Sequence, residues 1–421
     1  MNTGVKAGFG KGTIHFPEIL FPLEGFCGIH DEPHVRLMVL QFEKTAFALL
    51  EAELVIVPQS SIIAWREMIG TAFEIPAEQV VVQMTHAITT PHEPGPMGPP
   101  DRRLAPTQED LRKRAVYHEV TDHAVAEAIE GAKNSLGEAG LGWGSGLCNV
   151  NVNCDVETPY GWWLGSNPEA YTNHKMTVLR VSDPNGAPKG LLVSFGMKPA
   201  AIDNAGKAGN QRLISSEVAG YFCNQMEERL GVPVIYAVSA GGNQIPQKTA
   251  LRSFVADDGI VAEQDLGVSQ GLAYAKEQAD EMCGDCMKIL DEIHRAEFVP
   301  TGWAGCSVQW TRRRGGPRKP IKEIVHVPDG TAELAAKLFR MGSAIFVMVR
   351  PELTAECEKM LAEQNPDRHI VLMTLANGEM KCLPDKSAFD RGTYEAQGSN
   401  WMPGAAEALI ETITEEIRDS F

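Results

Sequence analysis

Apolar and polar positions recur along this chain with periods that define its elements. Residues 35–57, VRLMVLQFEKTAFALLEAELVIV, read as two strands separated by a polar turn at Glu43-Lys44. Behind Pro58, residues 60–75 place Ile62, Ile63, Trp65, Met68 and Ile69 at helical spacing, and a short apolar strand follows at 79–84. Residues 108–136 form the clearest amphipathic helix, with Leu111, Ala115, Val116, Val120, Ala124, Val125, Ala128 and Ile129 on one face. Glycine-rich residues 140–154 end in alternating Val and Asn from Cys148 to Cys154, the pattern of an edge or half-exposed strand. Residues 160–171, with Trp162 and Trp163, read as an aromatic loop and a pocket wall.

Strands are expected at 176–181, 190–197 and 234–239, with a helix at 216–230 between the last two. That order predicts a crossover unit with parallel pairing. A long helix at 267–296 follows. The tail then reads helix 332–339, strand 344–350, helix 354–364, strand 369–375 and a last helix at 403–417. No repeat, low-complexity tract or strong linker interrupts the pattern. The expectation is one α/β domain over residues 1–421, a large mixed-sheet layered unit with flanking helices.

Composition narrows the functions available. The 421 residues are 43% hydrophobic and 22% charged, enough for a large core. A net charge of -17 argues against nucleic acid or an anionic membrane as partner. No apolar run approaches the about 18 residues of a spanning helix. The N-terminal MNTGVKAGFGKG shows no signal peptide, and nine scattered cysteines suit a reducing compartment. These features predict a soluble, cytoplasmic, bacterial-style enzyme or binding protein with a small-molecule substrate, and its size and acidity suit a homo-oligomer.

Several stretches carry chemistry. At 80–100 an apolar strand stops at Thr85-His86, and His92 follows in a Pro/Gly-rich loop, an arrangement that presents imidazoles at the rim of a sheet. Gly8-x-Gly10-x-Gly12 has neither a preceding strand nor an acidic residue about 20 positions on, so no nucleotide cofactor is expected. Cys283-Gly-Asp-Cys286 lies inside a predicted helix without a second ligand pair and reads as packing thiols. Arg312-Arg313-Arg314, with Arg318 and Lys319, reads as a solvated loop, with carboxylate or phosphate capture or a subunit contact as the alternatives. Sharp turns follow three apolar strands, at 240–246 (AGGNQIP), at 376–379 (ANGE) and at 195–199 (FGMKP). In the last, Lys198 sits at the end of a nearly all-apolar strand. An ammonium there needs a carboxylate, a bound anion or a chemical task.

In order and spacing, residues 6–410 resemble the neutral/alkaline non-lysosomal ceramidase family and its bacterial relatives. The resemblance rests on Ala7-Gly-Phe-Gly-Lys-Gly-Thr-Ile-His-Phe-Pro17, Gly28-Ile-His-Asp31, Met84-Thr-His86 with Pro94-Gly-Pro96, and Ser215-Ser-Glu-Val-Ala-Gly220. Gly242-Asn-Gln-Ile-Pro246, Arg350-Pro-Glu352, Ala376-Asn-Gly378 and Tyr394-Glu395 complete it. It implies the ceramidase catalytic-domain fold, a divergent bacterial member without the C-terminal β-domain, and hydrolysis of an amide bond by zinc. Such a zinc is held by two His, one Glu and one Tyr, with a second His assisting.

Carried over by residue, His86 falls on a ligand His and Glu352 on the ligand Glu. Lys198 replaces the second ligand His, Ile88 the assisting His and Cys382 the ligand Tyr, with Glu379 at a neighbouring Tyr. Cys154, after Asn153, stands at a family Arg, and Asn243 at a family Asp. A charged Lys198 would repel zinc. Three readings follow. One is a hydrolase of a small amide, lactam or related acyl bond, with a rearranged zinc shell of His86, Glu352 and Cys382 and with His92 filling in. The second is a metal-free enzyme in which Lys198 acts as electrostatic clamp, base or Schiff-base amine beside Glu352 and His86, with Cys382 an alternative nucleophile. The third is a non-catalytic binding or assembly protein. Trp162, Trp163, Asn153, Asn243, Asn377 and Tyr394 are the candidate substrate contacts.

Overall fold

The two strands read from residues 35–57 become His34–Gln41 and Ala46–Ala52, paired antiparallel, in a computed structural model that describes residues 4–95, 105–294, 300–316, 318–378 and 380–421. Lys6–Thr13 adds antiparallel on one side and Val80–Met84 parallel on the other, and Gly137–Glu138 completes a five-stranded sheet. Helices α1 (Gln59–Phe73) and α2 (Gln108–Ser135) cover its outer face. Helix α2 starts at a capping box in which the Thr107 hydroxyl accepts from Asp110 N (3.1 Å) while the Asp110 carboxylate accepts from Thr107 N (2.8 Å). The Gly8, Gly10 and Gly12 repeat lies inside the first strand. A Cβ at these positions would stand 2.2, 1.9 and 1.9 Å from the carbonyl oxygens of Ala132, Ala128 and Ala124. The repeat lets α2 lie directly on the strand.

A second sheet runs Val234–Val238, Pro188–Phe195, Lys175–Ser182, Gly140–Leu147, with the first two parallel and joined through α3 (Glu217–Leu230) as the pattern predicts. Helix α4 (Val268–Asp291) packs beside α3, and its Cys283 and Cys286 point into the apolar layer beneath. A third sheet, Thr301–Arg313, Pro328–Met341, Ala344–Val349 and His369–Met373, is covered by α5 (Ala355–Gln364) and α8 (Ala405–Ser420). Short helices α6 (Lys386–Arg391) and α7 (Tyr394–Gly398) precede α8. The inner faces of all three sheets meet in one core, through Met38, Phe47 and Val81, then Leu179, Leu192 and Ile235, then Phe339, Phe346 and Val371.

Three expectations are corrected. Residues 332–339 are strand rather than helix. Leu334, Ala336 and Leu338 are buried while Glu333 and Ala335 are exposed, and hairpin partners on both sides override the helix-forming alanines. Asn151–Thr158 is the central strand of a small sheet with Gly161–Asn167 and Gln244–Pro246, so it is no edge, and residues 160–171 are largely strand. Its asparagines are buried because their amides replace backbone partners: Asn151 Nδ2 donates to Asn173 O and Gly196 O. The arginine cluster is a solvated loop only in part: Arg314, Arg318 and Lys319 are exposed beyond the strand, whereas Arg312 and Arg313 end it. Arg313 is buried at a strand end and donates to Ala396 O (2.7 Å) and Ser399 O (3.2 Å), which uses it to anchor the segment behind α7. No helix among the described residues is long and apolar enough to cross a membrane.

Candidate active site

The C-terminal ends of parallel strands from all three sheets converge. Gln83 Nε2, fully buried, donates to Val238 O and Thr374 O, both at 2.8 Å, and Thr374 N donates to Val238 O. Asn377 exchanges two hydrogen bonds with Val82, N to O at 2.6 Å and N to Oδ1 at 2.9 Å. The loops leaving this junction carry His86, Lys198, Gly242-Asn243, Glu352 and Cys382. Strand ends of this kind are where α/β proteins place ligands.

His86 follows Val80–Met84 with a left-handed backbone (φ 63°) that only surrounding structure can impose on a non-glycine residue. Its N–H is fixed to Leu54 O (3.1 Å). The imidazole Nδ1 lies 3.0 Å from Glu352 Oε1. An ionised carboxylate only accepts, so Nδ1 carries a proton there, and Nε2 of the neutral ring is left as an acceptor. Glu352 sits in register with Cys382 in a two-residue parallel pairing, and the Cys382 thiol donates to Glu352 Oε2 at 3.5 Å. Burial would raise the Glu352 pKa, but His86, Lys198 and the two hydrogen bonds outweigh it and hold the group at about 2. Glu352 is therefore an anion with one oxygen on each neighbour.

Lys198 leaves the strand Pro188–Phe195 and its Nζ donates to Gly242 O at 2.7 Å. Burial disfavours the ammonium, yet Glu352, Cys154, Glu395 and Cys382 together raise its pKa above the ordinary lysine value. The side chain is a fixed cation. The turn after it is tied down by Glu217, whose buried carboxylate accepts from the N–H groups of Ala201, Ile202 and Asp203 at 2.9–3.0 Å. Burial, followed by Glu352, lifts the Cys382 thiol well above its usual range, with Lys198 opposing. That thiol is a donor and not a ready nucleophile.

Not every candidate joins this group. His92 pairs with Glu24, Nδ1 to Oε2 at 3.0 Å, and its backbone N–H reaches the same carboxylate, so it is engaged elsewhere and does not fill in at His86. Asn153 spends its amide on Tyr171 O and Asp155 N, and Asn243 spends its own on Glu356 Oε2 and Ala355 N. Asn377 holds Val82, so these three asparagines brace the site's walls. Tyr394 stacks edge-on against Trp163 at 5.2 Å and accepts from Arg318, whose guanidinium lies over its ring. Trp162 lies under Arg391 at 4.8 Å. Ile88 offers its carbonyl to Arg212. Glu379, Pro96 and the rest of 96–100 lie outside the described residues.

The expected zinc set is not assembled as such. Among the described residues, one trio of His, Cys, Asp or Glu has ligand atoms all within 4.8 Å of one another: Cys154, Asp155 and Glu395. His86, Glu352 and Cys382 are instead strung along the Glu352 carboxylate, with the Lys198 cation beside it. As placed they do not fit a zinc ion, whose ligands must close around one point. The Cys154 trio escaped the sequence reading because its members are 241 positions apart at the extremes. The one available signal was Cys154 standing where the resembled family has Arg.

Fold and site together define an α/β layered protein with a cluster of ionisable side chains at converging strand ends. No protein-family model matches the sequence, and no curated protein matches it. Among solved structures, "Ceramidase complexed with C2" superposes with TM-score 0.72 at 15% identity, over 99% of this chain and 76% of that one. Neutral ceramidase from Pseudomonas aeruginosa gives TM-score 0.72 at 14% identity, over 99% of this chain and 74% of the other. The chain has the neutral-ceramidase fold.

Proposed function

We propose that the protein is a hydrolase of a small-molecule amide, lactam or related acyl bond, working from His86, Glu352 and Lys198 without a metal between them. The observation that carries this reading is Glu352, an anion bridging His86 and Cys382 beside a fixed ammonium. Glu352 orients the imidazole and stabilises its protonated form. Nε2 takes a proton from water, and the resulting hydroxide attacks the acyl carbon. Lys198 opposes the charge that develops on the acyl oxygen, the part a metal plays in other hydrolases. His86 then returns the proton to the departing nitrogen. Because Lys198 stays charged, the electrostatic clamp fits it better than the base or Schiff-base amine. The ceramidase fold favours an N-acyl substrate, and the acidity of the chain disfavours nucleic acid.

Turnover of a panel of short N-acyl amides and lactams tests the proposal. Lys198→Met should lower kcat by roughly 10²–10³-fold with little change in KM, as loss of an oxyanion donor does. Unchanged turnover in that variant would remove Lys198 from the mechanism. Wild-type protein that binds members of the panel without cleaving any would point to the non-catalytic reading.

A further inference from the structure

Next to this site lies a second cluster that the proposed mechanism does not use. Cys154 and Asp155 are neighbours on Asn151–Thr158, where side chains ordinarily alternate between faces. A register shift between Asn153 and Asp155 breaks the alternation, and an Asx contact from Asp155 N to Asn153 Oδ1 (2.8 Å) fixes the break. Both side chains then reach Glu395 in the first turn of α7, with the Cys154 Sγ 3.6 Å from Glu395 Oε1. All three residues are buried, at 0, 2 and 2% exposure.

The second Glu395 oxygen is buried with no hydrogen-bond partner. An unpaired carboxylate oxygen at that depth is costly, and here it faces another carboxylate. Something positive must stand between them, a proton or a cation. Arg391 does not fill the gap, since its Nη1 stands 3.8 Å from Asp155 Oδ2, too far for a hydrogen bond, and its guanidinium lies over Trp162.

We propose that Cys154, Asp155 and Glu395 form a binding site for a divalent transition metal of the zinc class, independent of the His86–Glu352–Lys198 reading. One soft and two hard donors suit zinc, cobalt or iron rather than magnesium or calcium, and three protein ligands leave a position for water. Without metal the carboxyl pair shares a proton, in keeping with the raised pKa of Asp155, which burial and Glu395 together produce. Binding the ion releases that proton and the one on the thiol. The Lys198 ammonium acts electrostatically on Cys154 and Glu395 and opposes a bound cation, so the site should be selective for ions with strong thiolate affinity.

The full-length protein, stripped with chelator and titrated with cobalt(II), tests this directly. One equivalent should produce a near-ultraviolet sulfur-to-cobalt band that added zinc abolishes. Cys154→Ser should lose the band, and Asp155→Asn and Glu395→Gln should weaken binding by more than about 10-fold. A band that survives Cys154→Ser and vanishes in Cys382→Ser would overturn the assignment and relocate the ion to Glu352. No cobalt or zinc binding by wild-type protein would overturn it outright. Should the variants misfold, zinc-edge X-ray absorption of the wild type decides. One sulfur with oxygens supports the site, and imidazole scattering refutes it. Lys198→Met should bind cobalt at least as tightly as wild type, so loss of the catalytic proposal would leave this one standing.

Discussion

At the scale of single residues, Glu352 sets the state of its neighbours. It holds a proton on His86 Nδ1, takes the Cys382 thiol proton as a hydrogen bond and keeps Lys198 charged. Glu352→Gln preserves the shape but can present its NH₂ to Nδ1, which favours the wrong tautomer. The expected result is a roughly 10²–10⁴-fold fall in kcat, read by steady-state kinetics alongside the far-ultraviolet spectrum to show the fold intact. A variant with full activity would show that His86 needs no orienting partner. Much of this was legible in the sequence. An ammonium at the end of an apolar strand demands a partner, so Lys198 stood out, and the His86 and Glu352 motifs came through the resemblance. What could not be read was which partner each group takes. His92 is chemically as good a candidate as His86, and only the chain's path assigns it to Glu24.

At the scale of elements, the sequence spoke most clearly where periodicity was long and least where tertiary pairing decided. Helix α2 declares itself over several turns, whereas residues 332–339 carry a helix-forming composition that two hairpin partners turn into strand. The glycine repeat is the instructive intermediate. Gly8, Gly10 and Gly12 share one face at a period of two, which states that something approaches that face closely without saying what. The structure supplies α2. Gly10→Ala would drive a methyl to 1.9 Å from Ala128 O and 2.6 Å from Ala132 N, both backbone atoms that cannot rotate away. Helix and sheet must separate, at a cost of at least about 1–3 kcal/mol. Chemical denaturation should show a lower midpoint, while Gly316→Ala, whose added methyl meets nothing within 4 Å and whose backbone is not left-handed, serves as the control. Equal losses in the two variants would mean that α2 does not press on the strand as described.

At the scale of the whole molecule, three sheets share one core, and nothing in the apolar pattern says how they are fastened. One fastening is ionic and buried. Arg36 on His34–Gln41 donates from Nε to Glu227 (2.7 Å) and from Nη2 to Asn224 (3.0 Å), both on α3 over the second sheet. It also bonds Glu53 at the end of its own sheet, and Lys11 joins Glu227 at 2.7 Å. Burial alone would raise the Glu53 pKa, but Arg36 and His34 pull it down to about 2, while neighbouring Glu51 is pushed well above the carboxylate range, mainly by burial. Since the folded Glu53 pKa lies below the unfolded value near 4.5, the unfolded chain binds more protons in that window. The stabilisation is complete above about pH 4.5 and is lost as pH falls toward 2. Glu53→Gln leaves Arg36 short of its principal anion inside the protein, and breaking one partner of a buried pair costs roughly 3–5 kcal/mol. Urea denaturation across pH should therefore show the variant much weaker at pH 7 and the two proteins converging as the buffer is taken down from about pH 4.5 toward 2. Curves that stay parallel through that window would mean that Glu53 titrates alike in both states, and that its bond to Arg36 adds no pH-dependent stability.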